Sequence, residues 1–159
     1  VEFVAGCPPI VSRIADAERS IAGDYNKAVS STQQVRYGDI LVSVNGITPG
    51  QGMRKELASG LRVELKLRRP KVFPICIAKE GKSLGLTLNY ITDGVTMSVK
   101  GIKDGAAKDC RADLQAGDRI LSVNDQIGVE KMLAELRDSA SPKLVVSRAA
   151  PKAPSSLMF

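Results

Sequence analysis

Leu114-Gln115-Ala116-Gly117-Asp118-Arg119-Ile120-Leu121-Ser122-Val123-Asn124 reads as a turn, a short strand and a second turn. Gly-Asp breaks whatever precedes it, Ile120 to Val123 is a short apolar run, and Asn closes it. The phrase has an earlier twin, Tyr37-Gly38-Asp39-Ile40-Leu41-Val42-Ser43-Val44-Asn45, displaced by 79 residues. Each twin is followed by a stretch of helical character and then by a β-type segment. Solenoid units repeat every ~20–50 residues, so a period this long predicts a duplicated domain.

Outward from the second twin, the pattern predicts a mainly β unit with two helices. Lys71 to Lys79 is a strand, with Pro74 requiring an edge or a bulge. Leu84 to Tyr90 and Val95 to Ile102 pair across Asp93-Gly94, where glycine is expected at positive φ. Gly105 to Cys110 is a short helix and Asp118 to Asn124 a buried strand. Val129 to Arg137 carries apolar residues at 129, 132, 133 and 136, one helical face, with Lys131 and Glu135 as an i,i+4 pair. Ser141-Pro142 breaks the chain before a last strand, Lys143 to Arg148.

The pieces in this order resemble the PDZ family. Lys82-Ser83-Leu84-Gly85-Leu86 is similar to its carboxylate-binding loop, X-apolar-Gly-apolar. Val99 to Ile102, Gly105-Ala106-Ala107, Leu114 to Leu121 and the helix Val129 to Arg137 follow in family order. The resemblance implies two PDZ-like, partly open β-barrels or sandwiches in tandem: residues 1–69, residues 70–149, and a tail at 150–159. It also implies binding of C-terminal peptides, which add as a strand to an exposed sheet edge.

Glycine at 85 lets the backbone turn so that successive N–H groups converge into an anion nest. By the resemblance these are the amides of Leu84, Gly85 and Leu86, with Lys79 supporting the carboxylate and Lys82 adding positive potential. Ser83 and Thr87 complete the peptide-binding stretch. Leu84, Leu86, Leu88 and Leu136 map onto the pocket for the terminal side chain. Val129 matches the helix position where many relatives carry a His that accepts a Ser or Thr hydroxyl. Valine accepts no hydrogen bond, and burying an unpaired hydroxyl costs ~1–3 kcal/mol. With Leu133 extending the surface, the expected ligand ends apolar-X-apolar.

The first copy departs from this pattern. Leu57 falls on Leu136 at displacement 79, but Ile14 falls on Ile102 at 88, leaving nine extra residues (88 − 79) before Gly38. That insert, including Ala22 to Tyr25 and Ser30 to Gln34, is polar enough for a surface loop. No counterpart exists for Val72 to Leu88, so the first strand and carboxylate loop are missing. Gly50 replaces Val129, Arg54 replaces Leu133, and Gly52 falls early in the expected helix. The first copy is therefore not expected to bind C-terminal peptides conventionally. Either the sequence starts inside the first domain, or the missing strand comes from elsewhere, the tail being one candidate. Ser155-Ser156-Leu157-Met158-Phe159 itself ends apolar-X-apolar, which predicts self-association through Leu157, Met158 and Phe159, with gap filling as the competing use.

Composition narrows the classes. At 159 residues, 43% hydrophobic and 25% charged, the chain fits two small globular domains. No apolar run approaches the ~18 residues of a membrane span, and Val1-Glu2-Phe3-Val4 lacks the character of a signal peptide. Three scattered cysteines suggest a reducing, cytoplasmic setting, with membrane association through partners. The absence of histidine removes Ser-His-Asp chemistry and most zinc and haem sites, so no enzyme, metal or cofactor is expected.

The net charge of +6 concentrates at Arg62, Lys66, Arg68, Arg69 and Lys71. Residues 62–68 alternate charged and apolar, the pattern of a half-buried strand. With six aromatic residues there is little for base stacking, so nucleic acid is not an expected partner. The leading expectation is an adaptor that binds C-terminal tails, including those of membrane proteins. The alternatives are a regulatory segment of a larger protease and an anionic-membrane or phosphoinositide adaptor.

Overall fold

The structure, a computed structural model, describes residues 1–14, 20–50, 52–59 and 62–150. The element order is α1 (Ile21–Ala28), β1 (Ile40–Val44), α2 (Met53–Ser59), β2 (Leu65–Arg68), β3 (Lys71–Cys76), β4 (Leu86–Tyr90), β5 (Met97–Ile102), α3 (Ala106–Asp109), β6 (Arg119–Val123), α4 (Val129–Asp138) and β7 (Lys143–Arg148). Two sheets result. The larger has the order β3-β7-β6-β5-β4 with every pair antiparallel, and the smaller pairs β1 with β2. Neither closes into a barrel. The tail expectations on Leu157, Met158 and Phe159 lie outside the described residues.

The larger sheet follows the predicted order of strands and helices. Pro74 sits on β3, an edge strand, where its missing N–H costs no ladder bond. Ile77, Met97, Ile120, Met132, Leu144 and Val146 are essentially inaccessible and form one core beneath α4.

The two stretches of similar sequence make similar hydrogen bonds. Asn124 Oδ1 accepts from Lys143 N–H at 2.9 Å and its amide reaches Glu135 at 2.6 Å; Asn45 does the same to Glu64 at 2.7 Å and Glu56 at 2.6 Å. Buried Asp118 holds Arg148 at 2.7 Å, and buried Asp39 holds Arg69 at 2.7 Å. These carboxylates hold both guanidinium groups above their ordinary range. Even the bulge recurs, between Ile120 and Ser122 and between Leu41 and Ser43. The displacement of 88 also holds: Val99 N–H donates to Asp118 O at 2.8 Å, as Val11 N–H does to Asp39 O at 2.8 Å.

Four expectations need correction. The insert is not a loop throughout: Ser20 caps α1 by accepting from Gly23 N–H at 3.0 Å, and Asn26 locks the following turn through both sides of its amide to Val35. Gly52 does not weaken a helix interior, because α2 begins after it, at Met53, with Gly50 and Gly52 both at positive φ. The Asp93-Gly94 turn does not use positive φ at Gly94; Gly94 N–H closes a turn onto Ile91 O at 2.8 Å. The strand over 65–68 forms, but Leu65 stays 41% exposed rather than half-buried.

Leu136, Leu144 and Val146 are buried, whereas Leu57, Leu65 and Leu67, 79 positions earlier in the sequence, line an open cleft of about 890 Å³ beside β2. Among the described residues β2 pairs with β1 alone.

The two halves meet through the outer face of the larger sheet. Ile10, Ile40 and Leu121 form a buried cluster with Val145 packed against it. Beside it Arg119, only 3% exposed, lies 3.6 Å from the Glu2 carboxylate and donates to Thr96 Oγ1 at 2.9 Å and Pro8 O at 2.8 Å. Tyr37 donates its hydroxyl to Leu121 O at 3.1 Å. Burial, then the charge of Glu2, pushes its pKa up to about 12 against an opposing pull from Arg119.

The raised value fixes a pH dependence. Below about pH 10 Tyr37 is neutral whether the chain is folded or not. As pH rises from there through about 12, the unfolded phenol ionises first, so stability is lost across that window. Phenolate absorbance should show a late-titrating tyrosine that disappears in Tyr37→Phe. An unchanged titration in that variant would remove the assignment.

Candidate functional site

Among the described residues β4 is the open edge of the larger sheet, bonded to β5 on one side only. Immediately before it, the loop 82–85 is fixed by three carbonyls in succession. Ser83 O accepts from Ala106 N–H at 2.9 Å, Leu84 O from Ala107 N–H at 3.1 Å, and Gly85 O from Lys103 N–H at 2.7 Å. No peptide bond is cis among the described residues, and a planar trans peptide points its N–H opposite its C=O. Binding these carbonyls on the α3–β5 side therefore turns the N–H groups of Leu84, Gly85 and Leu86 the other way. Three successive outward amides make a concave donor set suited to an anion.

Glycine is required in this loop for two reasons. Gly85 adopts φ +72°, and a Cβ there would come within 2.8 Å of Lys103 O and 2.9 Å of Asp104 O. Gly105, which precedes α3, faces it so closely that a Cβ would lie 2.7 Å from Ser83 O. Both neighbours are backbone and cannot swing aside.

Leu84, Leu86, Leu88 and Leu133 are half-buried and pack against the core cluster that contains Val129 and Leu136. The structure thus brings the leucines of the edge strand and of α4 onto one apolar floor. Thr87 is half-buried in β4, next to a register shift between it and Leu88. Val129 is 2% exposed and packs in the core cluster, and its N–H donates to Gly94 O at 2.9 Å. The large apolar side chain that α4 leaves partly accessible is Leu133, with Ala134 beside it in sequence.

The two lysines are also engaged elsewhere. Lys79 Nζ donates to Leu136 O at 2.9 Å, Arg137 O at 2.7 Å and Ser139 O at 2.9 Å. With three carbonyls on its three N–H donors, Lys79 braces the C-terminal end of α4. Lys82 bridges to Asp109 at 2.6 Å on the surface, and that hydrogen bond holds its pKa above the ordinary value. Sequence reasoning had no signal for the partners of Lys79, because carbonyl positions at a helix end are a tertiary fact.

A second cavity, of about 500 Å³, lies between residues 1–3 and α2. Arg54 stacks over the Phe3 ring at 4.7 Å, and Ile91, Asp93 and Val95 close the cavity from the second half. Among the described residues no cluster of His, Cys, Asp or Glu could hold a metal, and no helix is long and apolar enough to cross a membrane. Of the basic junction, Arg69 is taken up by Asp39 and by Gln34 O.

Two variants test this geometry. Gly85→Ala should destabilise the fold by about 2 kcal/mol or more, through positive φ and collision with backbone. Lys79→Met keeps the aliphatic stem and should cost about 1.5–3 kcal/mol for its charged hydrogen bonds. Urea midpoints measure both; an unchanged midpoint in either would contradict the corresponding contact.

Residues 75–146 match the family model of the PDZ domain, a peptide-binding protein-interaction module. No curated protein matches the chain. The matched span runs from β3 to β7, so it contains the edge strand, the loop before it and α4.

Proposed function

We propose that the PDZ domain at 75–146 captures C-terminal peptides whose last and third-last residues are apolar. The observation that carries this reading is the triplet of carbonyls at Ser83, Leu84 and Gly85, all bonded to one side, which leaves three amides for a terminal carboxylate. β4 supplies the edge onto which the peptide adds as a strand. Leu84, Leu86 and Leu88, backed by Leu136, receive the last side chain, and Leu133 the third-last. Lys79 acts indirectly, by fixing α4 against the loop. Ser83, Lys82 and Thr87 flank the bound chain.

The chain is on this reading a tandem in which the first half has lost the peptide function. Its equivalent groove is occupied by Arg54 over Phe3 and closed by the 91–95 turn. The recurrence of the Asp–Arg and Asn–Glu pairs at displacement 79 supports the common origin of the halves. The module works as an adaptor in the cytoplasm, bringing tail-bearing proteins, membrane proteins among them, to whatever it is joined to.

A peptide ending Leu-Ala-Leu should bind at least about tenfold more tightly as the free acid than as the amide. On titration, amide shifts of 83–90 and 133–136 should move while those of 40–58 stay in place. Leu133→Ala should weaken binding about threefold or more for that peptide, with a smaller change for one carrying alanine at the third-last position. Equal affinity of acid and amide forms would sink the carboxylate reading.

A further inference from the structure

We propose that Glu2 is a positioning residue for the peptide groove: its carboxylate, supplied by the first half, holds the 91–96 turn against which α4 starts. This rests on the groove assignment above and adds a contribution from outside the matched domain.

Glu2 is fixed before it reaches the turn. Its backbone exchanges two hydrogen bonds with Ile10, at 2.9 and 3.1 Å, and Ile10 is buried and bridged to Ile40. The side chain then crosses to the second half. Oε1 accepts from Val95 N–H at 2.9 Å and Thr96 N–H at 3.4 Å, and Oε2 accepts from the Thr96 hydroxyl. Its charge is balanced by buried Arg119. Glycine at 94 leaves room for the carboxylate, since a Cβ there would lie 2.5 Å from Glu2 Oε1 as well as 2.8 Å from Ile91 O.

The far side of the same turn reaches the groove. Gly94 O accepts from Val129 N–H, the first amide of α4. Helix starts leave such donors unsatisfied, and here the N-cap is Gly128, with no side chain to do the work. Gly94 O takes that role. Ile91, Thr92 and Asp93 are exposed, so the turn has little packing of its own. Glu2 is what holds the cap in place, one helical turn from Leu133.

The test uses the full 159-residue chain. Amide hydrogen exchange is compared in the parent and Glu2→Ala, together with affinities for peptides ending Leu-Ala-Leu and Ala-Ala-Leu. Exchange at Val95, Thr96 and Val129 should accelerate. The preference for Leu at the third-last position should shrink about threefold, while the ratio of acid to amide affinity stays as in the parent. If Val129 exchange and the Leu preference are both unchanged, the proposal fails. It also fails if the acid-to-amide ratio falls in step with the Leu preference, because that is general loosening. Glu2→Gln, which keeps one acceptor oxygen, carries the same comparison should the alanine variant unfold. A parent that binds acid and amide alike would overturn the groove reading instead, and the proposal with it, whatever the exchange result.

Discussion

A buried arginine sets the terms for the whole molecule. Arg119 stands on β6, at the position where the repeat has Ile40, and it is 3% exposed. Removing a guanidinium from water costs several kcal/mol unless charge and hydrogen bonds replace the lost hydration. The replacement comes entirely from outside its own strand: the Glu2 carboxylate, Thr96 Oγ1, Pro8 O and the Cys7 sulfur. Three of these four belong to the N-terminal segment. That segment must therefore lie across the outer face of the larger sheet, and the two halves are bound into a defined arrangement.

The arrangement divides the sheet's two faces between two tasks. The outer face is committed to the contact between halves, through Leu121, Val145 and Arg119 against Ile10, Ile40 and Glu2. The inner face carries the core, α4 and the leucines beside the β4 edge. Because side chains alternate along a strand, one strand serves both without conflict. The edge of β4 stays open while the domain is packed from behind.

In the proposed tandem, the first half has the same local chemistry with one strand fewer among the described residues. Its Asp–Arg turn, its bulge and its Asn–Glu bond are all retained. These are satisfied within a few dozen residues and do not depend on a third strand. The core does depend on it. Without an equivalent of β3 among the described residues, Leu57, Leu65 and Leu67 border a cleft where Leu136, Leu144 and Val146 are sealed. Polar bonds at turns and apolar burial are thus separable, and the fold keeps the first where it loses the second.

The sequence alone determined the elements whose cause is local. Repeated Gly-Asp and Asn fixed both ends of β1 and β6, the 3.6-residue apolar spacing placed α4, and Pro74 announced an edge. The glycine in Leu84-Gly85-Leu86 was legible because only glycine tolerates φ +72° with a carbonyl 2.8 Å from where a Cβ would be. Tertiary structure decided everything that depends on which atoms arrive from far along the chain. It drew Lys79 to the end of α4, put Val129 in the core, and gave Gly94 its purpose as the place where Glu2 enters. Ser20 and Asn26 built a helix in a stretch whose composition reads as loop. A one-dimensional pattern records how often a residue must face inward. It does not record which partner, 93 residues away in the case of Glu2 and Val95, will satisfy it there.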